Sequence, residues 1–100
     1  MKIPNRKISK WLFADNLKEG ALFEFVEFKE VISRKGSKIP CFILLGQDKE
    51  TVGEFKLSTW NVDNLENLLE TIGDDDVAWR NLKFTPVANG DKIILNLFTE

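Results

Sequence analysis

Aromatic side chains interleaved with lysine and arginine are the residues of this chain best suited to chemistry, and that chemistry is binding. Single-stranded nucleic acid uses both kinds of group, because bases stack on flat rings while cations follow the phosphates. The candidate contact residues are Trp11, Phe42 and Trp60 among the aromatics, and Lys7, Lys10, Arg34, Lys35, Lys38, Lys49 and Lys56 among the cations.

Most rings in so small a chain must nevertheless fill its core. We expect packing roles for Phe23, Phe25, Phe55 and Phe84, since phenylalanine is among the residues most often buried. Trp60 stands between polar neighbours just after an apolar run, and its sequence context fits a stacking platform and a core residue equally well. The loop cations, for their part, are also what an ordinary solvated loop contains.

Several kinds of catalysis are excluded by residue type. The chain contains no histidine, so triads and histidine-ligated metals are absent as usually built. The segment 34–38 has one glycine and lacks the spacing of a phosphate-binding loop. Carboxylates at Asp74, Asp75 and Asp76 are the ligands that Mg²⁺ prefers, but three consecutive turn residues point in different directions, which favours a solvated turn. We predict no enzyme, metal or cofactor.

Length and composition indicate one globular domain. The chain has 100 residues, of which 43% are hydrophobic and 30% charged, enough for a core without disulfide or metal support. Cys41 lies in an apolar run, where a thiol behaves as a small hydrophobe. No signal-like segment or membrane-length apolar run occurs, so we expect a cytoplasmic protein, in the host cytoplasm if viral, with no membrane partner.

Charge is distributed unevenly along the chain. The net charge is −2, but residues 1–40 hold nine Lys/Arg against five Asp/Glu, whereas residues 41–100 hold five against eleven. The net charge is therefore +4 for residues 1–40 and −6 for residues 41–100. Scattered surface charge explains such numbers most often, and the sharper interpretation is a basic surface opposite an acidic one.

The strand pattern of the first half changes face partway along. In residues 21–32, Phe23 and Phe25 share one parity while Val26, Phe28 and Ile32 share the other. A β-bulge near Phe25 and Val26 would switch the inward parity and bend the strand; the alternative is a flat strand buried on both faces. A polar turn at 33–38 then leads into a second strand at 39–45, with a third at 52–58.

One helix is predicted between the strands. Leu65, Leu68, Leu69 and Ile72 fall at offsets of 0, 3, 4 and 7 residues, which places them on one helix face. Asn61 or Asp63 is expected to cap its start and Gly73 to end it, with Trp79 as a lid over the same core. Beyond it, Asn89 and Gly90 mark the turn of a closing hairpin.

The predicted order is three strands, one helix and two strands. This is the connectivity of the OB-fold, a five-stranded Greek-key barrel, so the fold class expected is all-β with one helix plugging a barrel end. Residues 1–10 are predicted to form a basic N-terminal arm, and residues 11–100 the single OB-like domain.

Short motifs along most of the chain resemble small OB-fold-like single-stranded DNA-binding proteins of phages, viruses and plasmids. Those proteins show an S-K-x-L start with D-L, an N-x-T-N stretch before the helix, and a G-D-D segment followed by W-x-G-K. The matching segments here are Ser9-Lys10-Trp11-Leu12, Asp15-Asn16-Leu17, Leu57-Ser58-Thr59-Trp60-Asn61, Gly73-Asp74-Asp75 and Trp79. Asn81 and Leu82 depart from the Gly-Lys of that family, and Trp60 replaces a smaller polar residue.

The resemblance implies binding of single-stranded DNA in replication or recombination. Together with the aromatic and basic residues, it predicts non-sequence-specific binding of single-stranded DNA or RNA through predicted strands two and three and the 34–38 loop. The alternative is a protein-interaction module, a homo-oligomer or complex subunit that uses its sheet edge and acidic helix.

Overall fold

β-Strands are the predominant secondary structure in the computed structural model, which describes residues 9–49 and 51–98. The strands are β1 (Ser9–Trp11), β2 (Phe23–Ile32), β3 (Lys38–Gln47), β4 (Val52–Ser58), β5 (Lys83–Asn89) and β6 (Lys92–Leu97). The helices are α1 (Leu65–Ile72) and α2 (Asp76–Trp79), with 3₁₀ turns at Ala14–Asn16 and Thr59–Asn61. The all-β class with few helices is therefore confirmed.

The six strands form one curled sheet in the order β1-β4-β3-β2-β5-β6. The predicted count of five strands is wrong, because Ser9–Trp11 adds a short strand parallel to β4. Ser9 and Lys10, assigned to the arm from the sequence, belong to this strand. Three residues carry too little alternation to be recognised as a strand, and pairing with β4 decides their conformation. The two outer strands do not pair within the described residues, so the sheet is a half-barrel.

The segment between β4 and α1 covers part of the free edge of β6. Val62 forms a parallel bridge to Ile93, and the Asp63 amide donates to the Ile93 carbonyl at 2.8 Å. The Asn64 side chain then acts as a strand partner: its Oδ1 accepts the Leu95 amide at 3.0 Å and its Nδ2 donates to the Leu95 carbonyl at 2.8 Å. The chain leaving β4 thereby satisfies edge groups that would otherwise be unpaired.

The predicted β-bulge is confirmed in β2. Phe25 pairs with Leu44 and Glu27 with Ile43, so Val26 is the extra residue on the bulged strand. The shift of register brings Phe25 and Phe28 to the same face of the sheet. Because β2 bends at this point, it pairs with β5 at Phe23 and with β3 along most of its length.

The core fills the concave face of the curled sheet. Phe23, Phe55 and Phe84 are fully buried there, and Phe23 and Phe55 meet edge to face with centroids 5.5 Å apart. Trp79 is 3% exposed and its Nε1 donates to the Gly73 carbonyl at 2.8 Å. The prediction that this tryptophan closes the core is confirmed.

Helix α1 has the predicted bounds but a different cap. Asn64 stands at the N-cap position without a side-chain cap bond, since its amide is engaged with β6. Gly73 ends the helix with a φ of 104°, a conformation that a Cβ disfavours. Helix α2 was not predicted; the Asp75 side chain starts it by accepting the Val77 amide at 3.0 Å. Within the described parts of the chain, no helix is long and apolar enough to cross a membrane.

Candidate nucleic-acid interface

The convex side of the sheet, here called the outer face, carries the side chains that alternate with the core residues. Phe42 and Leu44 belong to the core cluster, so Cys41 and Ile43 between them point the other way. Ile43 lies in register with Lys56 on β4, and Lys56 in turn lies in register with Trp11 on β1. Strand pairing thus sets residues distant in sequence side by side on one surface.

Two side-chain pairs lie on the outer face. The Lys56 Nζ lies 4.8 Å from the centroid of the Trp11 ring, within the range of a cation–π contact. On β2, the Lys29 Nζ lies 3.8 Å from Glu27 Oε1. Lys29 was missed from the sequence alone, because its face depends on the bulge three residues earlier. The outer face therefore presents Lys56 beside a half-buried indole, and Lys29 beside Glu27 two strands away from Lys56.

Cys41 lies beneath these cations and is fully buried. Burial raises the pKa of its thiol, and the nearby positive charge of Lys56 partly offsets that rise. The neutral thiol predominates at neutral pH as a consequence. The predicted inert character of this cysteine follows from its burial.

The hairpin between β2 and β3 projects beyond β4. Strand pairing of β3 with β4 begins at Cys41 and Ser58, whereas β3 pairs with β2 from Lys38 onward. Pro40 sits in this projecting stretch, near the strand start as predicted, where β4 requires no N–H from it. The turn is tightened by the Ser33 amide, which donates to the Ser37 carbonyl at 2.8 Å.

Three cations occupy the end of this hairpin, which we call the basic tip: Arg34, Lys35 and Lys38. All three are exposed, and none makes an ion pair with another described residue. From Glu27 to the end of β2 at Ile32 the hairpin extends about 17 Å at the usual rise per strand residue. The basic tip is accessible to solvent at the free end of this hairpin.

Trp60 lies in the 3₁₀ turn after β4, which packs against β3. Its backbone amide donates to Ser58 Oγ at 3.2 Å, and its side chain is 61% exposed. A tryptophan used as a core plug would be buried, so the structure excludes that role. The ring is open beside the projecting hairpin.

Phe42 is removed from this surface. Its side chain is 4% exposed on the concave side and stacks on Trp79, with centroids 5.1 Å apart and planes at 25°. The predicted stacking of a base on Phe42 is corrected to a packing role, because alternation along β3 turns the ring away from the outer face.

Two of the predicted phosphate contacts, Lys10 and Lys49, are engaged by other parts of the chain. The Lys10 Nζ pairs with the buried carboxylate of Asp48 at 3.2 Å. The Lys49 Nζ donates to the Asp15 carbonyl at 2.9 Å. These two lysines tie the first strand and its following turn to the loop after β3. Lys7 lies outside the described residues.

An apolar groove opens on the concave side, opposite the outer face. Its volume is about 470 Å³, and its wall includes the three carboxylates predicted to form a solvated turn, Asp74, Asp75 and Asp76. They are exposed, and no group of described residues is arranged to hold a metal ion. The carboxylates line the groove, whereas the basic tip lies at the free end of the hairpin, where Lys38 shares the strand face of Phe42.

The geometry defines a small, mostly β protein with a half-barrel sheet, a basic hairpin tip and an apolar groove walled by carboxylates. No family model, curated protein or solved structure matches the chain. Its likeness to the phage and plasmid proteins consequently rests on the short motifs alone.

Proposed function

We propose that this protein binds single-stranded nucleic acid, DNA in the first place, without sequence specificity. The observation that carries the proposal is the exposed ring of Trp60 beside a hairpin that ends in three cations without ion-pair partners among the described residues. An accessible indole offers a base a flat surface, and the basic tip offers its phosphates positive charge. An accessory role in replication or recombination is the biological setting we propose.

The fold supports this proposal through its connectivity. Strands β2, β3 and β4 form a meander, α1 follows β4, and the β5–β6 hairpin pairs with the start of β2. We propose that this is an OB-like barrel with one additional strand, β1, and with residues 62–64 taking the place of a direct pairing between β4 and β6. In OB-folds, the face of the second and third strands and the loop after the first commonly bind oligonucleotides.

The path of the nucleic acid runs over the outer face toward the basic tip. In the free protein, Lys56 covers one side of the Trp11 ring, so Lys56 would leave the ring for a phosphate when a base stacks on Trp11. Trp60 requires no such exchange, since its ring is already open. Phosphate contact with Lys29 and Lys56 would extend the path across β2 and β4.

Fluorescence titration with poly-dT at low salt tests the proposal. Trp79 is buried, whereas Trp60 is exposed and Trp11 is half-buried, so we expect quenching that is reversed by salt, reduced in Trp60→Phe and reduced further when Trp11→Phe is added. A stacked base is worth about 1–3 kcal/mol, so Trp60→Ala should weaken binding by roughly 5- to 150-fold. The absence of quenching and of any mobility shift with oligonucleotides of several lengths would defeat the proposal.

A matched pair of variants tests the basic tip. Arg34/Lys35/Lys38→Ala removes three positive charges at the tip, and Lys18/Arg80/Lys92→Ala removes three exposed charges elsewhere. Each phosphate contact on a single strand contributes about 0.7 to the salt slope, so loss of the tip should reduce that slope by about 2. Equal weakening by both variants would show attraction by net charge and contradict a defined path.

A further inference from the structure

The groove on the concave side has an apolar floor that the core leaves uncovered. Phe28 and Phe42 form part of the floor, α1 contributes Leu65 and Leu69, and Trp79 closes one side. Phe28 is 46% exposed and Leu69 is 39% exposed, although both face toward the core. Leu69 belongs to the predicted apolar stripe of α1, so this stripe extends past the core and into the groove.

The wall of the groove is negatively charged. Asp74, Asp75 and Asp76 line it, and no lysine or arginine does. The Asp75 Oδ1 accepts the Val77 amide. No described hydrogen bond fixes the side chain of Asp74 or Asp76. Such a site favours an apolar side chain flanked by cations and repels a phosphate chain.

The same chain presents an element of that chemistry. Ile32 is 70% exposed at the end of β2, directly before the turn that carries Arg34 and Lys35. The hairpin projects beyond β4, and all three side chains are exposed at its end. An exposed aliphatic group between cations is the complement of an apolar groove with a carboxylate wall.

We propose that the basic tip of one copy docks in the acidic groove of a second copy, with Ile32 on the apolar floor and Arg34 and Lys35 toward Asp74 and Asp76. The contact cannot form within one copy. Ile32 and the Phe28 of the groove floor lie on the same strand, about 13 Å apart at the usual rise, and a paired strand does not fold back on itself.

The contact is head to tail, because it joins two different surfaces of the chain. Each added copy leaves one groove and one tip unoccupied, so association continues to a ring or a filament. A bound nucleic acid would compete for Arg34 and Lys35, and self-association is therefore measured without nucleic acid. This inference does not depend on the proposed function.

Sedimentation velocity of the full chain at low salt, over a range of concentrations, tests the contact. We expect association that weakens with salt and is lost in Ile32→Asp. Val52→Asp is the matched control, because Val52 is 67% exposed at the far end of β4 and should leave association unchanged. A monomer at all concentrations, or equal effects of the two variants, would overturn the proposal.

Charge reversal gives a second, independent readout. Asp74→Lys/Asp76→Lys keeps the Asp75 cap, and Arg34→Glu/Lys35→Glu reverses the tip; each variant alone should be monomeric. Mixed together, they should associate again, since each groove then meets a tip of opposite charge. A monomeric mixture would contradict the contact.

Discussion

The Lys56 ammonium lies 4.8 Å from the centroid of the Trp11 ring and so links the two strands at one edge of the sheet. Cation–π contacts at partly exposed sites contribute about 0.5–1 kcal/mol. We expect Lys56→Met, which keeps the aliphatic stem, to lower the free energy of unfolding in urea by about that amount. Lys29→Met serves as the control, because its exposed pair with Glu27 contributes little. Equal losses would contradict a specific role for the indole.

Lys10 and Asp48 predict a second stability effect. The Asp48 side chain is 1% exposed, and its Oδ1 accepts the Thr51 amide at 2.6 Å. Lys10→Met would remove the ammonium that lies 3.2 Å from the Oδ2 of this buried carboxylate. Because Lys10 is itself 44% exposed, solvent weakens its attraction to Asp48. We expect the free energy of unfolding to fall by roughly 1–3 kcal/mol.

Urea unfolding measures this loss, and Lys18→Met is the control because Lys18 is exposed in the loop before β2. Lys10→Met and Lys18→Met should differ in stability but should have nearly equal affinities for poly-dT, since Lys10 is engaged with Asp48. A Lys10→Met protein of unchanged stability would show that the pair contributes nothing.

Gly46 predicts a packing effect at the crossing of β3 and β2. A Cβ at this position would lie 2.8 Å from the Leu22 carbonyl oxygen and still closer to the Phe23 ring. Gly46→Ala should therefore destabilise the fold by about 1–3 kcal/mol, the usual cost of overpacking. Adding Phe23→Leu to Gly46→Ala should relieve the contact with the ring but not the contact with the backbone. In a double-mutant cycle, the combined loss of stability should therefore be somewhat smaller than the sum of the two single losses. Full additivity would contradict the clash.

Cys41 predicts a dependence of stability on pH. Since burial raises the pKa of its thiol in the folded protein, the unfolded chain loses this proton first. The contribution is fully present below the pKa of the unfolded thiol, about 8.5, and is lost as pH rises toward the folded value. Between pH 7 and pH 10, the free energy of unfolding measured in urea should fall more for wild type than for Cys41→Ala.

Alkylation gives a direct measure of the same thiol. Iodoacetamide should modify the folded protein slowly at pH 8 and the urea-unfolded protein rapidly, because the thiolate is the reactive species. Rapid labelling of the folded protein would contradict the burial of Cys41.

Local patterns were sufficient for several elements of the fold. The spacing of Leu65, Leu68 and Ile72 identified α1, and the parity change at Phe25 and Val26 identified the bulge. These features depend on the periods of 3.6 residues in a helix and 2.0 residues in a strand, which can be recognised from residues close together in sequence. Strand β1 and helix α2 were not predicted, because elements of three or four residues are too short to show a period. Pairing with the edge of β4 decides the conformation of β1, and the capping oxygen of Asp75 decides that of α2.

The sequence by itself determined the chemistry of this protein: aromatic rings among cations, no histidine for catalysis, and opposite charges in its two parts. Tertiary structure decided which groups are available. Phe42 and Trp60 appeared equivalent as stacking candidates, yet one packs against Trp79 and the other remains 61% exposed. The physical reason is that a side chain's face depends on strand register and on what covers that face, and both are set by contacts between residues far apart in the chain.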